Sequence, residues 1–394
     1  MVTNFIKQKA EELKPVLVEL RRKIHAHPEL GFEEEKTAAL IAETLQKLEF
    51  EVQTGIAKTG VVGLLRGEKA GKTIAFRADM DALALQEEND KPYASLHPGK
   101  MHACGHDAHT TSLLGAAMIL KELQNNLPGN IKFIFQPAEE STGGAKPMIE
   151  EGVLANPQVD AIFAPHVWPD YPAGKITVQY GPTMAAPDYF EIEITGKSGH
   201  GALPHKSIDA IIVACQVVNS LQTIVSRKRD PLDPLVLSIG TIQGGSAFNV
   251  IADRVKMTGT VRTFNLETRE KMPLLMEEII SGICKAFGAD YKFKYEKYFP
   301  PTINDEKMTA IAEKSAAKIV GKENVIVETK PSMGGEDFSF FLQEVPGSYI
   351  KIGINNPAKG IIYPLHHPKF DLDEDVLPIT AALMAQIAWD FLQE

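Results

Sequence analysis

The chain is poor in cysteine and tryptophan, and it has no block of basic residues. Its 394 residues include three cysteines and two tryptophans, and three cysteines are too few for the disulfide framework of a small secreted protein. The formal net charge is -10, which opposes binding to nucleic acid phosphates or acidic membranes. The sequence therefore predicts chemistry on a small molecule, with no nucleic acid and no membrane as partner.

Long apolar runs are also missing. No apolar stretch approaches the roughly 20 residues that span a bilayer, and residues 1–15 lack the basic and apolar regions of a secretory signal. We therefore expect a soluble, cytoplasmic protein. With 44% hydrophobic and 23% charged residues, the chain can bury a large core, and its length favours two domains.

Apolar patterns divide the chain into two kinds of domain. In residues 1–184, short apolar runs such as Val61–Leu65 and Ile131–Phe135 alternate with helix-like stretches, which is typical of a mostly parallel sheet covered on both faces. Residues 185–298 follow instead the β-α-β-β-α-β order of a ferredoxin-like α+β domain. The first pattern resumes over residues 299–394. We predict a discontinuous, doubly wound α/β domain with the ferredoxin-like domain inserted in it.

The segment Met101–His109 concentrates metal ligands. It contains three histidines, one cysteine and one aspartate, and thiolate and imidazole are the donors that borderline transition metals prefer. Taken singly, Cys104 or His106 fits a buried cysteine or a polar helix cap better than a ligand. A metal site at this segment therefore requires further ligands elsewhere in the chain.

Polar side chains follow three of the predicted strands. Asp79 and Asp81 come after the run that begins at residue 73, Glu139 and Glu140 come after the run that begins at residue 131, and His166 follows the run that begins at residue 161. In doubly wound sheets, functional groups collect beyond the carboxyl ends of the strands. Three such groups, together with the Cys/His segment, favour a metal site over isolated solvated turns.

Four motifs, in this order, resemble one family of hydrolases. They are His102-Ala-Cys104-Gly-His106-Asp-Ala-His109, Gln136-Pro-Ala-Glu139-Glu140, Gly196-Lys-Ser-Gly-His200 and Leu365-His366-His367-Pro368. Together they look like the aminoacylase/carboxypeptidase branch of the two-metal amidohydrolases. This branch of the zinc-type exopeptidases includes hippurate hydrolases, auxin-conjugate hydrolases and N-acyl-amino-acid amidohydrolases. The resemblance extends over essentially the whole chain and implies metal-dependent hydrolysis of the amide bond of N-acyl-L-amino acids or short peptides.

The resemblance implies roles for the matching residues of the α/β domain, which would be the catalytic domain. Glu139 would be the general base, and Asp79 would orient the metal site. Related enzymes carry a histidine two residues before that aspartate, where this chain has Arg77, so Cys104 supplies the ligand of this branch instead. Two divalent ions (Zn, Mn, Co or Ni) would be bound by Cys104, His106, Glu140, His166 and His366, with His367 competing for the last position.

The inserted domain would complete the site and mediate dimerisation. His200 resembles a donor that the family supplies across a dimer interface, which implies a homodimer or homotetramer. Asn249 and Arg262 match positions that hold the α-carboxylate of the substrate, a task that suits the planar fork of arginine. Gly335 lies in a glycine-containing loop whose main-chain amides can approach a ligand.

Other functions remain open. Within the family, the chain can be an N-acetyldiaminopimelate deacetylase or a dipeptidase. In a different class, Cys104 would act as the nucleophile of a thiol amidase with His106 as its base. A third class is a non-catalytic protein that binds a metal or another ligand. His102 and His109 flank the ligands, and one of them could orient a ligand, although a helix face explains His109 at least as well.

Overall fold

The computed structural model describes residues 1–394, which form nine α-helices and sixteen β-strands. The helices are α1 (Val2–His25), α2 (Glu35–Lys47), α3 (His106–Glu122), α4 (Ala145–Glu150), α5 (Ala210–Thr223), α6 (Leu266–Phe287), α7 (Glu306–Val320), α8 (Ser339–Glu344) and α9 (Val376–Leu392).

The strands alternate with these helices along the chain. They are β1 (Glu51–Ile56), β2 (Gly60–Arg66), β3 (Lys69–Asp79), β4 (Pro128–Gln136), β5 (Ala161–Pro172), β6 (Ile176–Gln179), β7 (Gly181–Met184), β8 (Ala186–Thr195), β9 (Gly199–His200), β10 (Leu235–Gly244), β11 (Val250–Ile251), β12 (Arg254–Thr263), β13 (Asp290–Lys297), β14 (Thr302–Asn304), β15 (Val325–Glu328) and β16 (Gly347–Asn355).

The chain divides into two compact units. The large unit is formed by Met1–Thr183, Ile303–Lys330 and Asp337–Glu394. The small unit is formed by Met184–Thr302 and Pro331–Glu336.

An eight-stranded sheet organises the large unit, in the order β1-β2-β4-β3-β5-β16-β6-β15. Its centre is parallel, because β3 pairs in parallel with β4 and β5, and β5 pairs in parallel with β16. Residues Thr73–Asp79 of β3 are all buried, as expected of a central strand whose two faces are both covered. The mostly parallel α/β fold that the sequence predicts for this part is confirmed.

The core of the large unit is one apolar cluster formed by the sheet and its helices. Helices α1, α3 and α9 pack on one another, with Leu17, Leu113 and Leu383 fully buried among them. Helix α3 is buried along most of its length, so its first turn is held firmly against the carboxyl end of β3, which Thr110 contacts through its hydroxyl.

The small unit contains a four-stranded antiparallel sheet in the order β10-β12-β8-β13. Along β8, buried and half-buried residues alternate, and Phe190, Ile192 and Ile194 point into the core. Such alternation means that one face of the sheet is covered. The covering helices are α5 and α6, which confirms the predicted ferredoxin-like order.

One helix corrects the expectation about apolar runs. Ala210–Lys228, which comprises α5 and its continuation, is long and apolar enough to cross a membrane, with a mean hydropathy of 1.3. Its residues Val213, Val217 and Leu221 are buried in the core of the small unit. Apolar helices of this length also occur as core helices, but only 33% of this span is buried, and Ile211 and Ile212 on α5 are exposed.

A buried ion pair joins the sheet of the small unit to α6. The Asp188 carboxylate lies 2.7 Å from Arg269 Nη2 and 3.0 Å from Arg269 Nε, and the Tyr295 hydroxyl donates to it over 3.0 Å. Asp188 and Arg269 are almost fully buried. Because neither charge has access to water, each depends on the other for compensation.

Removing one charge of this pair should destabilise the small unit. For Arg269→Ala we expect a loss of about 3–5 kcal/mol in the free energy of unfolding, since the Asp188 carboxylate is left buried and unpaired. Urea titration followed by fluorescence measures the loss. Arg254→Ala removes an arginine whose side chain is 65% exposed and serves as the control, with an effect within about 0.5 kcal/mol. A similar, small effect of both substitutions would contradict the role of the pair.

Candidate metal centre

Asp79 and Asp81 lie buried at and just beyond the carboxyl end of β3. The Asp79 carboxylate is 2.6 Å from Arg77 Nη1 and 2.6 Å from His109 Nδ1. Its main-chain carbonyl accepts a hydrogen bond from the Thr110 hydroxyl over 2.9 Å. Asp79 therefore links the end of the central strand to the first turn of α3.

Asp81 connects two other segments. Its Oδ1 lies 3.1 Å from His106 Nδ1, and its Oδ2 accepts a hydrogen bond from the Glu140 main-chain N–H over 3.0 Å. The carboxylate therefore sets the orientation of the His106 ring and the position of the Glu140 backbone together. The sequence marks Asp81 only as a polar residue after a strand, and no motif assigned it this position.

Arg77, two residues before Asp79 on β3, is buried. Its Nη2 lies 2.9 Å from Asp337, and its Nε donates to the Gln136 side chain over 2.9 Å. Gln136 in turn donates to Asp337. The guanidinium compensates the charges of Asp79 and Asp337, and it holds the ends of β3 and β4 together.

The structure brings the five predicted metal ligands together. Cys104, His106 and Glu140 place one potential ligand atom each within 4.8 Å of one another. Cys104 Sγ also lies 3.5 Å from His166 Nε2, and His366 Nε2 lies 2.9 Å from Glu140 Oε1. Thiol, imidazole and carboxylate from five places in the sequence therefore form one continuous cluster.

Two histidines of this cluster have a ring nitrogen available to a metal. His166 Nδ1 lies 2.7 Å from the Val167 carbonyl, which only accepts, so Nδ1 carries the proton and the lone pair of Nε2 faces Cys104 Sγ within the cluster. His106 Nδ1 is engaged by Asp81, while its buried Nε2 has no hydrogen-bond partner. Metal-binding histidines are usually oriented in this way through their second nitrogen. The donor set and these two nitrogens fit a transition-metal site.

His366 is better placed than His367 to be the fifth ligand. Its main-chain N–H donates to the Ala103 carbonyl over 2.8 Å, and its φ of 63° is left-handed. The His367 ring stacks on Tyr363 with a centroid distance of 4.4 Å, and its Nδ1 accepts from the Lys369 main-chain N–H.

The clustered charges shift the pKa values of the ligands. Burial lowers the pKa of His106, but the negative charge of Asp79 and the hydrogen bond to Asp81 raise it to about 10. Burial and the neighbouring Glu140 raise the pKa of the Cys104 thiol well above its ordinary value. A neutral thiol is a weak nucleophile, so the protein environment alone does not activate Cys104. Metal binding must displace these protons, and metal affinity therefore rises with pH.

His109 belongs to the orienting groups of the site. It falls with Asp79, His106 and His166 in a group that could hold a metal by distance. However, its Nδ1 contacts Asp79 and its Nε2 accepts from the Val167 main-chain N–H over 2.9 Å, so both nitrogens are engaged. The sequence signal was its spacing of three residues from His106, which places both on one face of α3.

Gly105 allows the ligand segment to enter α3. Its φ is 87°, a left-handed value, and a Cβ built on it would lie 2.4 Å from Val167 Cγ2. Any larger residue would clash with the strand that carries His166. Close approach of the backbone at this glycine lets Cys104 and His106 reach the same cluster as His166.

A second buried network anchors the start of α3. The Asp107 carboxylate is 2.7 Å from Arg21 Nε and 2.7 Å from His25 Nδ1. Arg21 also contacts Asp371 over 3.1 Å. This network joins α1, α3 and the segment before α9, and the sequence pattern did not single out Arg21 or Asp107 for it.

The other predicted site residues lie in the small unit. His200 faces Val250 across the β9–β11 pair, and its Nδ1 accepts from the Ala202 main-chain N–H over 3.0 Å. The neighbouring Asn249 accepts a hydrogen bond from Gly201 through its main-chain carbonyl. Arg262 on β12 is half-buried and approaches the Met333 carbonyl over 3.5 Å, and Gly335 packs against Pro187.

The α/β fold, with these donors on its central strand β5 and in segments that follow other strands, is that of a metal-dependent amidohydrolase. The chain belongs to peptidase family M20/M25/M40, whose family model matches residues 75–390. The resemblance found in the sequence motifs is thereby confirmed.

Known proteins resemble the chain over most of its length. It is 44% identical over 390 residues to thermostable carboxypeptidase 1 of Saccharolobus solfataricus, covering 98% of each chain. It is 48% identical over 305 residues to an N-acyl-L-amino acid amidohydrolase of Geobacillus stearothermophilus, covering 77% of this chain and 82% of that protein. A dinuclear metal-binding peptidase of the M20 family from Bacillus subtilis has the same fold, with a TM-score of 0.85, 38% identity and coverage of 97% and 99%.

Replacing Asp81 should weaken metal binding without unfolding the chain. In Asp81→Asn the charge that orients His106 is lost, and we expect metal affinity to fall about 10–100-fold. Competition with a chromophoric chelator measures the change for zinc and manganese. The exposed Asp90→Asn is the control and should bind like the unmodified protein. An unchanged affinity of Asp81→Asn would show that the contact with His106 does not orient a ligand.

Proposed function

We propose that the protein hydrolyses the amide bond of N-acyl-L-amino acids, and also of short peptides at their carboxyl end. The observation that carries the proposal is the convergence of five donors, one of which, Glu140, directly follows Glu139 in the chain. A protein that only stores metal has no need of a second carboxylate beside a ligand. This favours hydrolysis over the non-catalytic alternative.

Two divalent ions fit this site, and we propose Cys104, His106, Glu140, His166 and His366 as the residues that hold them. The Bacillus subtilis relative is described as a dinuclear metal-binding peptidase. When bound, such ions act as Lewis acids and lower the pKa of water toward neutrality. Zn, Mn, Co and Ni all suit this mixed donor set.

We propose Glu139 as the general base. Burial and the charges of Glu140 and Glu139 raise the pKa of the Cys104 thiol. The Glu139 carboxylate is therefore close enough to the ligands to interact with them electrostatically. An ionised carboxylate there accepts a proton from the attacking water and delivers it to the leaving amine. Asp79, held between Arg77 and His109, contributes by orienting the site.

The carboxypeptidase and the amidohydrolase that resemble this chain have one substrate feature in common. A carboxypeptidase and an N-acyl-L-amino acid amidohydrolase both cleave an amide whose nitrogen belongs to an amino acid with a free α-carboxylate. We propose that Arg262 and Asn249 bind this carboxylate, that main-chain amides near Gly335 assist, and that His200 stabilises the developing oxyanion. N-acetyldiaminopimelate and dipeptides share the same feature.

The proposed setting is the cytoplasm and the proposed assembly is a homodimer or homotetramer. All three cysteines are free, and a reducing compartment keeps the Cys104 thiol available. In the small unit, β10 lies at the edge of the sheet and the Phe248 side chain is fully exposed. An unpaired strand edge and an exposed aromatic side chain favour association with a second copy.

A substrate panel with and without metal tests this function. We expect acetyl, benzoyl and longer acyl amino acids or dipeptides to be hydrolysed, and the same compounds with an amidated α-carboxylate to react about 10–100-fold more slowly, because charge-assisted hydrogen bonds are lost. Chelation should abolish hydrolysis, and added zinc, manganese, cobalt or nickel should restore it. Resistance to chelation with inactivation by a thiol alkylator would indicate the thiol amidase instead. A flat substrate profile would contradict the proposed substrate class.

Glu139→Gln tests the general base. We expect kcat to fall about 10²–10⁴-fold, while both metal ions remain bound, since the ligands are untouched. Steady-state kinetics and elemental analysis measure the two quantities. Glu150→Gln, an exposed position on the following helix, should retain full activity. Hydrolysis by Glu139→Gln at the original rate would remove Glu139 from the mechanism.

A further inference from the structure

Glu34 is a fully buried carboxylate that the site described above does not use. It lies directly before α2, and its exposed fraction is 0%. Burying a carboxylate is costly unless hydrogen bonds compensate the charge. The partners of Glu34 therefore indicate what this charge does for the structure.

Both Glu34 oxygens accept hydrogen bonds. The Thr59 hydroxyl donates to Oε2 over 2.6 Å, and the Ala138 main-chain N–H donates to Oε1 over 2.9 Å. Burial and the nearby charge of Asp81 raise the pKa of Glu34, whereas these two hydrogen bonds lower it. Hydrogen bonds therefore compensate the buried charge of Glu34, and one of them is donated by the main chain directly before Glu139.

Ala138 has an unfavourable backbone conformation. Its φ is 56°, in the left-handed region, where a Cβ lies too close to the following carbonyl oxygen. Its main-chain carbonyl accepts from Gly143 N–H over 3.0 Å, which closes a turn that contains Glu139 and Glu140. The hydrogen bond from Ala138 to Glu34 offsets the cost of this conformation.

The segment around Glu34 also packs closely against the same turn. A Cβ on Gly31 would lie 2.5 Å from Ser141 Oγ and 3.0 Å from Ala138 Cα. Gly31 thus lets the chain before α2 contact the turn from which both glutamates project. The close packing at Gly31 and the hydrogen bond between Ala138 and Glu34 together connect this segment to the turn, and the two hydrogen-bonded residues are 104 positions apart in the sequence.

We propose that Glu34 is a positioning residue, which holds the left-handed turn at Ala138 so that Glu139 takes its place beside the metal centre, while the Glu140 main chain is held separately by Asp81. The proposal rests on the function proposed above for Glu139. Glu34 touches neither substrate nor metal and acts through the main chain of Ala138. The role explains why a carboxylate is kept at a site where an apolar side chain would be buried at lower cost.

Kinetics of Glu34→Ala test the proposal. We expect kcat to fall about 10–100-fold, as for a small displacement of a reacting group, while KM and the bound metal per chain stay within about twofold of the unmodified protein. Glu34→Gln keeps an acceptor for the Ala138 N–H and should restore most of kcat. Glu35→Ala, at the exposed neighbouring position, is the matched control and should leave kcat unchanged.

A second substitution at the turn separates positioning from general stability. In the double variant Glu34→Ala/Ala138→Gly, glycine adopts the left-handed φ without the penalty of a Cβ, so we expect kcat to recover at least severalfold over Glu34→Ala. If Glu34→Ala does not fold, Thr59→Val removes one hydrogen bond of Glu34 with little change of shape and should lower kcat in the same direction.

Three results would overturn the proposal. The first is an unchanged kcat in Glu34→Ala or, if that variant does not fold, in Thr59→Val. The second is a fall in kcat that is fully explained by a smaller fraction of folded or metal-bound protein. The third is a kcat of Glu34→Ala/Ala138→Gly that is no higher than that of Glu34→Ala. Failure of the underlying function is seen separately. Full activity of Glu139→Gln refutes the general base, whereas an impaired Glu139→Gln beside a fully active Glu34→Ala refutes Glu34 alone.

Discussion

The metal centre depends on the burial of two carboxylates at the carboxyl end of β3. Asp79 and Asp81 are excluded from water, and ionised groups there are stable only with partners. Arg77 and His109 provide them for Asp79, and His106 and the Glu140 main chain provide them for Asp81. The contacts that compensate the charge of Asp81 also orient the His106 ring and hold the Glu140 main chain. The same interactions therefore stabilise the buried carboxylate and position the ligands.

Further supports connect the site to distant parts of the chain. Arg77 reaches Asp337, 260 residues away, and the Asp107 carboxylate ties α3 to Arg21 in α1. The second support fixes the first turn of α3, which carries His106. Because these supports hold the donors in place in advance, the donors do not have to be reordered when a metal or a substrate binds. The inserted unit is held by its own buried pair, Asp188 and Arg269, and so has a core independent of these supports.

The fold was predictable where strands are largely apolar. Val61–Leu65 and Ile131–Phe135 are apolar except for Gly63 and Lys132, because both faces of β2 and β4 are covered, and the structure has strands there. The central strand β16 was not predicted individually, although it resembles β4 in having one lysine within an apolar stretch. Lys351 interrupts its apolar pattern, yet this lysine is buried with its amine 4.6 Å from the centre of the Trp168 ring. A local pattern does not reveal a partner that packing brings from another strand.

The sequence by itself determined the donor types and the family. Cys104 and His106 lie two residues apart and Glu139 and Glu140 are adjacent, so local spacing alone makes these motifs recognisable. Tertiary structure decided which neighbours serve them: it places His366 against Glu140, engages both nitrogens of His109, and sets Asp81 and Glu34 on the backbone around the glutamates. The physical reason is that charge compensation and hydrogen bonding in a buried site depend on segments far apart in sequence, which meet only when the sheet and helices pack.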